Sequence, residues 1–303
     1  MTIKRMYILC NLSLLMAALI SGLSFVAQKT GMEFVGPFTF NAARCLIGSI
    51  SLIPIILISG LLVPEKRTIE NKRFLLKGGL LAGFILFIAF SINQYCMIFA
   101  PAGKAGFITS LYIIFVPIIA VFMKHKLLPN VQISIVLSII GLYLLCAKGS
   151  MVFEIYDVLL LISAFFFALH IIVVSYYSKR VSALQLSALQ FFIAGILFLP
   201  CVLLFENPNF SELCAGYQPI LFTGIIVTAG AYTFQILGHK ATHPVLATLI
   251  LSTEAIFAVI GGIILLQETL NLREISGCFL MIAAIVLSQL TFKHKKQSDD
   301  LSI

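Results

Sequence analysis

The sequence predicts an all-α integral membrane protein: ten transmembrane helices in two inverted five-helix repeats around a central cavity. Three observations predict this fold class: an apolar composition, ten long apolar segments and a weak internal repeat. Of 303 residues, 60% are hydrophobic and 11% are charged, and the mean hydropathy is +1.09. A soluble domain has roughly 45–50% apolar and 25% charged residues. The composition therefore excludes a water-soluble enzyme, a disordered chain and a nucleic-acid-binding protein.

A helix that crosses the bilayer needs about 20 mostly apolar residues, with a range of about 17–25. The chain has ten segments of this kind, and little polar sequence remains between them. In chain order, the predicted spans are Tyr7–Gln28, Pro37–Leu62, Phe74–Phe99, Gly106–Met123, Val131–Ala147, Ile155–Tyr177, Ala183–Phe205, Tyr217–Gly238, Pro244–Leu266 and Ile275–Phe292.

The basic residues predict how these spans are oriented, because lysine and arginine accumulate in cytoplasmic loops. With the N-terminus inside and alternating sides, 15 of the 20 basic residues fall on the cytoplasmic side and four on the outer side. The remaining one, Arg44, lies within a span. This bias favours ten crossings of a bacterial inner membrane with both termini in the cytoplasm.

Two stretches of the first half recur in the second half. Phe38–Pro54 resembles Leu184–Pro200 at a shift of 146 residues, which places Arg44 opposite Gln190. Ala105–Tyr112 resembles Ala247–Glu254 at a shift of 142 residues. The identities are few, but their common order and similar shift indicate an internal repeat.

The repeat divides the chain into residues 1–150 and 151–303, with five predicted spans in each half. Because five is odd, the second half enters the membrane from the opposite side, so the halves are inverted copies. Inverted repeats are typical of secondary transporters, whose substrate site lies near the bilayer midplane between them. The alternative is an old duplication with no role in transport.

Two segments carry a resemblance to a known family. The stretch from Ala18, ALISGLSFVAQKTGMEFVGPFTFNAARCLIG, resembles the opening of an EamA-type half in the drug/metabolite transporter superfamily. Leu249–Ile275, LILSTEAIFAVIGGIILLQETLNLREI, is similar to the corresponding part of the second half. The latter has the cadence S-x-E-P-V … G-E-x-L, here as Ser252, Glu254 and the segment from Glu268 to Leu270.

The resemblance implies ten helices in two inverted halves that enclose a central cavity. It also implies transport of amino acids, metabolites, nucleotide sugars or drugs, with export as the more frequent direction. The chain departs from the family pattern at three places. Ser21-Gly22 stands where Trp-Gly is frequent, Glu254-Ala255 replaces Glu-Pro, and Tyr112-Ile113 occupies the matching site of the first half.

Charged residues in the hydrocarbon region are the strongest candidates for a functional site, since each costs about 2.5–3.5 kcal/mol on insertion scales. Glu254 is predicted near the midplane, as a site for a substrate amine or a proton. Its alternative is a neutral carboxyl group in a helix interface. Arg44 is predicted to bind a substrate carboxylate, which its planar guanidinium suits. Its alternatives are a structural cap or a side chain that reaches towards the outer interface.

Other polar or aromatic residues inside the spans form a second group of candidate substrate contacts. Their alternatives are hydrogen bonds that hold helices together, or ordinary packing. For the aromatic side chains, the functional interpretation is stacking on a ligand or closing a gate. The group comprises Asn93, Gln94, Gln235, His170, Tyr95, Tyr112 and Tyr232.

Pro54, Pro117 and Pro200 lie within predicted helices, where each removes a backbone hydrogen bond and bends the helix. They are candidate hinges for rocking of the halves, and static kinks are the alternative. Gly79 and Gly83 form a GxxxG pattern, which predicts close helix approach within the bundle or across a homodimer.

The sequence contains neither a nucleotide-binding motif nor a metalloenzyme or serine-hydrolase signature, so no cofactor, metal or catalytic residue is expected. The chain is therefore predicted to be a secondary transporter of small polar metabolites, amino acids or related compounds, and the direction predicted is efflux. Its partners are a small-molecule substrate and the lipid bilayer. Alternatives are nucleotide-like or lipid-carrier substrates moved by a flippase, import rather than export, a channel, and a membrane-embedded enzyme.

Overall fold

The computed structural model describes residues 3–62, 69–100, 102–123, 129–146, 154–257, 260 and 272–299. Within these ranges every regular element is helical. The helices of the first half are α1 Ile3–Gly31, α2 Pro37–Leu62, α3 Ile69–Phe99, α4 Ala102–Ser110, α5 Tyr112–Phe122 and α6 Pro129–Cys146. Those of the second half are α7 Ile155–Ser178, α8 Ala183–Phe205, α9 Phe210–Ala215, α10 Tyr217–Leu221, a π-helix Phe222–Ala231, α11 Tyr232–His239, α12 Pro244–Leu251 and α13 Leu272–Asp299.

Six helical segments are long and apolar enough to cross a membrane. They are Arg5–Gly31, Pro37–Ser59, Lys72–Phe99, Ile155–Ser178, Ala183–Phe205 and Tyr217–His239. The shortest has 23 residues, and at about 1.5 Å per residue it exceeds a hydrocarbon core of about 30 Å. These segments confirm a multi-pass integral membrane protein.

Four shorter apolar helices occupy the places of the other four predicted spans. They are Ile108–Phe122, Pro129–Leu144, Pro244–Phe257 and Ile275–Leu287. Parts of the fifth, ninth and tenth predicted spans lie outside the described residues, which end at 146, stop at 257 and resume at 272 apart from residue 260. Ten crossings therefore stay a prediction.

Helices of the two halves pack against each other in corresponding pairs. The second predicted span of each half meets its counterpart (α2 with α8), and so does the fifth (α6 with α13). Helix α3 packs on α7 and α8, while the π-helix and α11 pack on α1, and the π-helix also packs on α2. The pattern is unchanged when the halves are exchanged.

Large apolar side chains cover much of the outer surface. Phe122 is 83% exposed, Leu203 80% and Phe279 69%. Such exposure would be unfavourable in water, but it suits contact with lipid tails. The buried residues instead include many small ones, such as Ala82 and Ala194, which allow helices to approach closely.

The predicted hinge prolines lie inside helices. Pro54 lies in α2, Pro117 in α5 and Pro200 in α8. Gly79 and Gly83 pack within the chain, and a Cβ at Gly79 would overlap the side chain of Leu189 in α8. Glycine is required at this close approach, because any side chain would collide with α8.

Candidate substrate cavity

A cavity lies at the centre of the helices, between α1, α2, α3 and α7 on one side and α5, α11 and α12 on the other. Its empty volume is about 730 Å³, counted out to its open mouth. The lining includes seven of the nine candidate residues of the sequence analysis. They are Arg44, Asn93, Tyr112, His170, Tyr232, Gln235 and Glu254. Gln94 and Tyr95 are not among the residues that line it.

Arg44 turns into the protein, and its side chain is only 3% exposed. Its Nη1 donates to Oε1 of Gln28 at 2.9 Å, and its guanidinium carbon lies 4.2 Å from the ring centre of Phe90 and 5.7 Å from that of Phe40. A cation over an aromatic face is attracted by the ring's electron density. The side chain therefore does not reach towards the membrane interface, and its donor groups are held beside the cavity.

Glu254 lies where the helix resumes after α12. Its Oε1 accepts hydrogen bonds from Ser110 Oγ at 3.3 Å and from Tyr112 Oη at 3.2 Å. Both partners belong to the first half of the chain, so this carboxyl group joins the two halves. Arg44 and Glu254 use different hydrogen-bonding partners and present two separate polar groups to the cavity.

His170, on α7, is 1% exposed, and its Nε2 lies 3.0 Å from Oε1 of Gln190 on α8. This bond joins the first two helices of the second half, as the bond between Arg44 and Gln28 joins those of the first half. Gln190 is also the residue that the repeat places opposite Arg44. The two halves therefore make the same helix contact with different chemistry: a cation in one and a neutral amide in the other.

The three consecutive candidates on α3 face different ways. Asn93 lines the cavity, and its Nδ2 donates to Oγ1 of Thr109 at 2.7 Å. Gln94 is fully buried off the cavity, and neither amide atom has a hydrogen-bond partner among the described residues. Tyr95 is 43% exposed and packs edge-on against Phe99 on the outer surface. Asn93 alone of the three can contact a substrate in this conformation.

The sequence analysis did not select several residues that line the cavity. Ser21, Ser24 and Gln28 follow one face of α1 at spacings of three and four residues, and Gln28 accepts the bond from Arg44. A search for polar residues at helical spacing within the first span could have found this face. Phe90 was not distinguishable by sequence from the other phenylalanines.

Two helix breaks lie beside Glu254 and Tyr112, at matched places in the two halves. Helix α4 ends at Ser110 and α5 begins at Tyr112, and the Leu111 N–H donates to the Ile108 carbonyl at 3.1 Å. In the second half, the Thr253 N–H donates to the Ile250 carbonyl at the same distance of 3.1 Å. Donor and acceptor each correspond at a shift of 142 residues.

Three pairs of cavity residues also correspond at this shift. They are Phe90 with Tyr232, Asn93 with Gln235, and Tyr112 with Glu254. The rings of Phe90 and Tyr232 meet edge to face, with centres 5.9 Å apart. The cavity thus receives side chains from equivalent positions of both halves, and their chemistry differs at each pair.

Two glycines record the same correspondence deeper in the packing. A Cβ at Gly83 would lie 2.6 Å from the Gln190 carbonyl oxygen, and one at Gly224 would lie 3.2 Å from the Arg44 carbonyl oxygen. In each case the isoleucine three residues after the carbonyl is also in contact. Because Gln190 is the counterpart of Arg44, Gly83 and Gly224 occupy matched positions, 141 residues apart.

The correspondence changes by one residue between these glycines and the cavity. From Gly83 to Phe90 the chain advances seven residues as α-helix, whereas from Gly224 to Tyr232 it advances eight. The second stretch runs through the π-helix Phe222–Ala231. A π turn closes i→i+5 bonds and holds one residue more than an α turn. The π-helix therefore absorbs an extra residue and keeps Tyr232 on the cavity.

The fold and the cavity define a class: a multi-pass helical membrane protein that encloses a polar site between two corresponding halves. The sequence profile of the EamA-like transporter family matches residues 8–147 and again residues 154–290. The chain belongs to this family. The resemblance stated from the sequence is thereby confirmed.

Relatives with similar sequences cover almost the whole chain. An uncharacterized transporter of Archaeoglobus fulgidus is 28% identical over 289 residues, which span 95% of this chain and 87% of that protein. The uncharacterized transporter YoaV of Bacillus subtilis is 20% identical over 292 residues, 94% of this chain and 98% of that protein. One solved crystal structure matches 92% of this chain and 98% of its own, with a TM-score of 0.70 and 18% identity. It supports the fold.

Proposed function

We propose that this protein is a secondary transporter of small polar metabolites, amino acids or related compounds, which alternates the access of one central cavity between two inverted five-helix halves. Membership of a transporter family supports transport rather than catalysis. The observation that carries the proposal is the cavity itself, a polar chamber that has Arg44 and Glu254 in its wall. Charged residues inside a membrane protein usually mark a substrate or ion pathway.

The lining favours a substrate with both an anionic and a cationic group. Arg44 keeps guanidinium donors beside the cavity, and a planar guanidinium fork matches a carboxylate. Glu254 is the acidic residue of the lining, and it binds a cationic group or exchanges a proton there. The neutral amides of Asn93 and Gln235 supply further hydrogen bonds.

Pairwise packing that survives exchange of the halves supports the inverted arrangement, and the basic-residue bias supports ten crossings of a bacterial inner membrane with both termini in the cytoplasm. In the same proposal Pro54 and Pro200, which correspond at a shift of 146 residues, bend with Pro117 as the halves rock. Export is the direction that the resemblance favours.

Counterflow in proteoliposomes tests the proposal. A thermal-shift screen of the purified protein with amino acids selects the radiolabelled substrate, which is then exchanged across the vesicle membrane. Arg44→Gln and Glu254→Gln are expected to reduce counterflow at least about tenfold, because each removes one charged contact worth more than ~1.4 kcal/mol. Tyr95→Phe, which changes an exposed ring off the cavity, is the matched control for Tyr112→Phe and should leave the rate unchanged.

The alternatives give different results in the same vesicles. A channel conducts without saturation or counterflow, a flippase moves a lipid-linked substrate, and an importer shows the opposite preferred direction. If Glu254→Gln leaves both the rate and its pH dependence unchanged, Glu254 has no part in the mechanism.

A further inference from the structure

Tyr112 and Glu254 occupy equivalent positions of the two halves, and they contact each other directly. The Tyr112 hydroxyl donates to Glu254 Oε1 at 3.2 Å, and the two residues are 142 positions apart, the shift that relates the helix breaks. Equivalent positions of two related units can touch only near the axis that relates the units. The pair therefore lies close to the approximate two-fold axis of the molecule.

Contacts away from such an axis occur twice when both halves have the same conformation, once in each half. The bond from Ser110 Oγ to Glu254 at 3.3 Å should then have a counterpart from Ser252 to Tyr112. The structure contains a different bond at that place. The Ser252 hydroxyl donates to the Leu249 carbonyl of its own helix at 2.9 Å. The two halves thus differ in conformation at their matched breaks.

A transporter built from inverted halves reaches its second conformation when the halves exchange their local structures. On the basis of the proposed function, we propose that Ser110 and Ser252 are alternating latches. In the conformation described here, Ser110 bonds across the axis to Glu254 and Ser252 bonds to its own helix. In the conformation open to the other side, Ser252 bonds across to Tyr112, and Ser110 releases Glu254 and returns to its own helix.

The exchange moves the two helix breaks in turn. Each serine lies at its break: Ser110 is the last residue of α4, and Ser252 follows the last residue of α12. Irregular backbone of this kind is tolerated at membrane depth where it lines a cavity. Tyr112 and Glu254 stay in contact near the axis, while the serines change partners on either side of them.

Labelling from the two sides of the membrane tests the latches without any substrate. Ser21→Cys places a thiol in the cavity wall, and a membrane-impermeant maleimide is applied to right-side-out and to inverted vesicles. Mass spectrometry of the peptide that contains position 21 separates its labelling from that of the native cysteines. The measured quantity is the ratio of the labelling rates from the two sides.

In this reporter background, Ser110→Ala and Ser252→Ala are expected to shift the ratio in opposite directions. Each shift should be about threefold, which corresponds to the ~0.6 kcal/mol of an average interhelical hydrogen bond in a membrane. The double variant should return close to the parent ratio. Ser163→Ala removes a bond from α7 to the Ala89 carbonyl away from the breaks, and it should leave the ratio unchanged.

Shifts in the same direction, or no shift in either variant, would overturn the proposal. So would a thiol that neither side can label, tested with a second reporter, Ile171→Cys on α7. The readout is conformational, so it distinguishes the two proposals. A protein that transports none of the tested metabolites but shows opposite shifts retains the latches, whereas active transport with no shifts removes them.

Discussion

Deleting one residue from the π-helix tests whether that segment absorbs an extra residue. Ile225 and Phe84 are matched positions, each one residue after the corresponding glycine, and they are 42% and 51% exposed on the outer surface. Removing Ile225 leaves seven residues from Gly224 to Tyr232, the number that α3 has between its glycine and Phe90. The shortened segment can therefore form a regular α-helix with Tyr232 still on the cavity.

Removing Phe84 from α3 has the opposite consequence, because α3 has no extra residue to lose. Each residue of an α-helix turns it by about 100°, so Phe90 and Asn93 would rotate off the cavity. The loss includes the cation–π contact of Arg44, worth ~0.5–2 kcal/mol, and the bond from Asn93 to Thr109, worth ~0.6 kcal/mol. Together these amount to about 2 kcal/mol, before any disturbance of packing on α8.

Thermal unfolding of the purified variants in detergent measures the difference, and circular dichroism reports the helix content. The variant without Ile225 should unfold within a few degrees of the parent protein, and the variant without Phe84 should be clearly less stable. Equal destabilisation by the two deletions would refute the assignment of an extra residue to the π-helix.

Three further predictions concern single contacts. Gly83→Ala should destabilise the protein by ~1–3 kcal/mol, since its Cβ would lie 2.6 Å from a backbone oxygen, whereas Gly106→Ala, with no neighbour closer than 3.6 Å, should be tolerated in the same unfolding assay. Glu206→Ala should cost about 1 kcal/mol, because this carboxylate accepts the Phe38 and Thr39 N–H groups that begin α2, and Glu206→Gln should recover part of the loss. Tyr112→Phe should lower the counterflow rate through loss of its bond to Glu254, and an unchanged rate would count against that bond.

The sequence predicted the long helices well because composition and helix-start signals agree there. The predicted spans Pro37–Leu62 and Ala183–Phe205 have the bounds of α2 and α8. Proline at the first helical position suits the start of α2, since its missing N–H would have no helical partner there. In the membrane, apolar length alone nearly determines where a helix lies.

The helix breaks and the π-helix could not be predicted in the same way. No glycine or proline marks Leu111 or Thr253, and the nearby Pro117 lies inside α5 rather than at the break. The π-helix also carries no distinct composition. Both features depend on contacts between the halves, which a single sequence does not display. The facing of adjacent residues had the same limit: Asn93 and Gln94 differ by about 100° around α3, and the sequence did not show which one meets the cavity.

The pattern of differences between the halves separates packing from chemistry. Where helices cross most closely, both halves use glycine, at Gly83 and Gly224, because the same backbone approach recurs in each. At the cavity the matched positions diverge: Arg44 faces the cavity in the first half while its counterpart is neutral, and Glu254 does so in the second half while its counterpart is a tyrosine. The fold requires neither charge, since the other half makes the same contacts without it. The charges are therefore best explained by what enters the cavity.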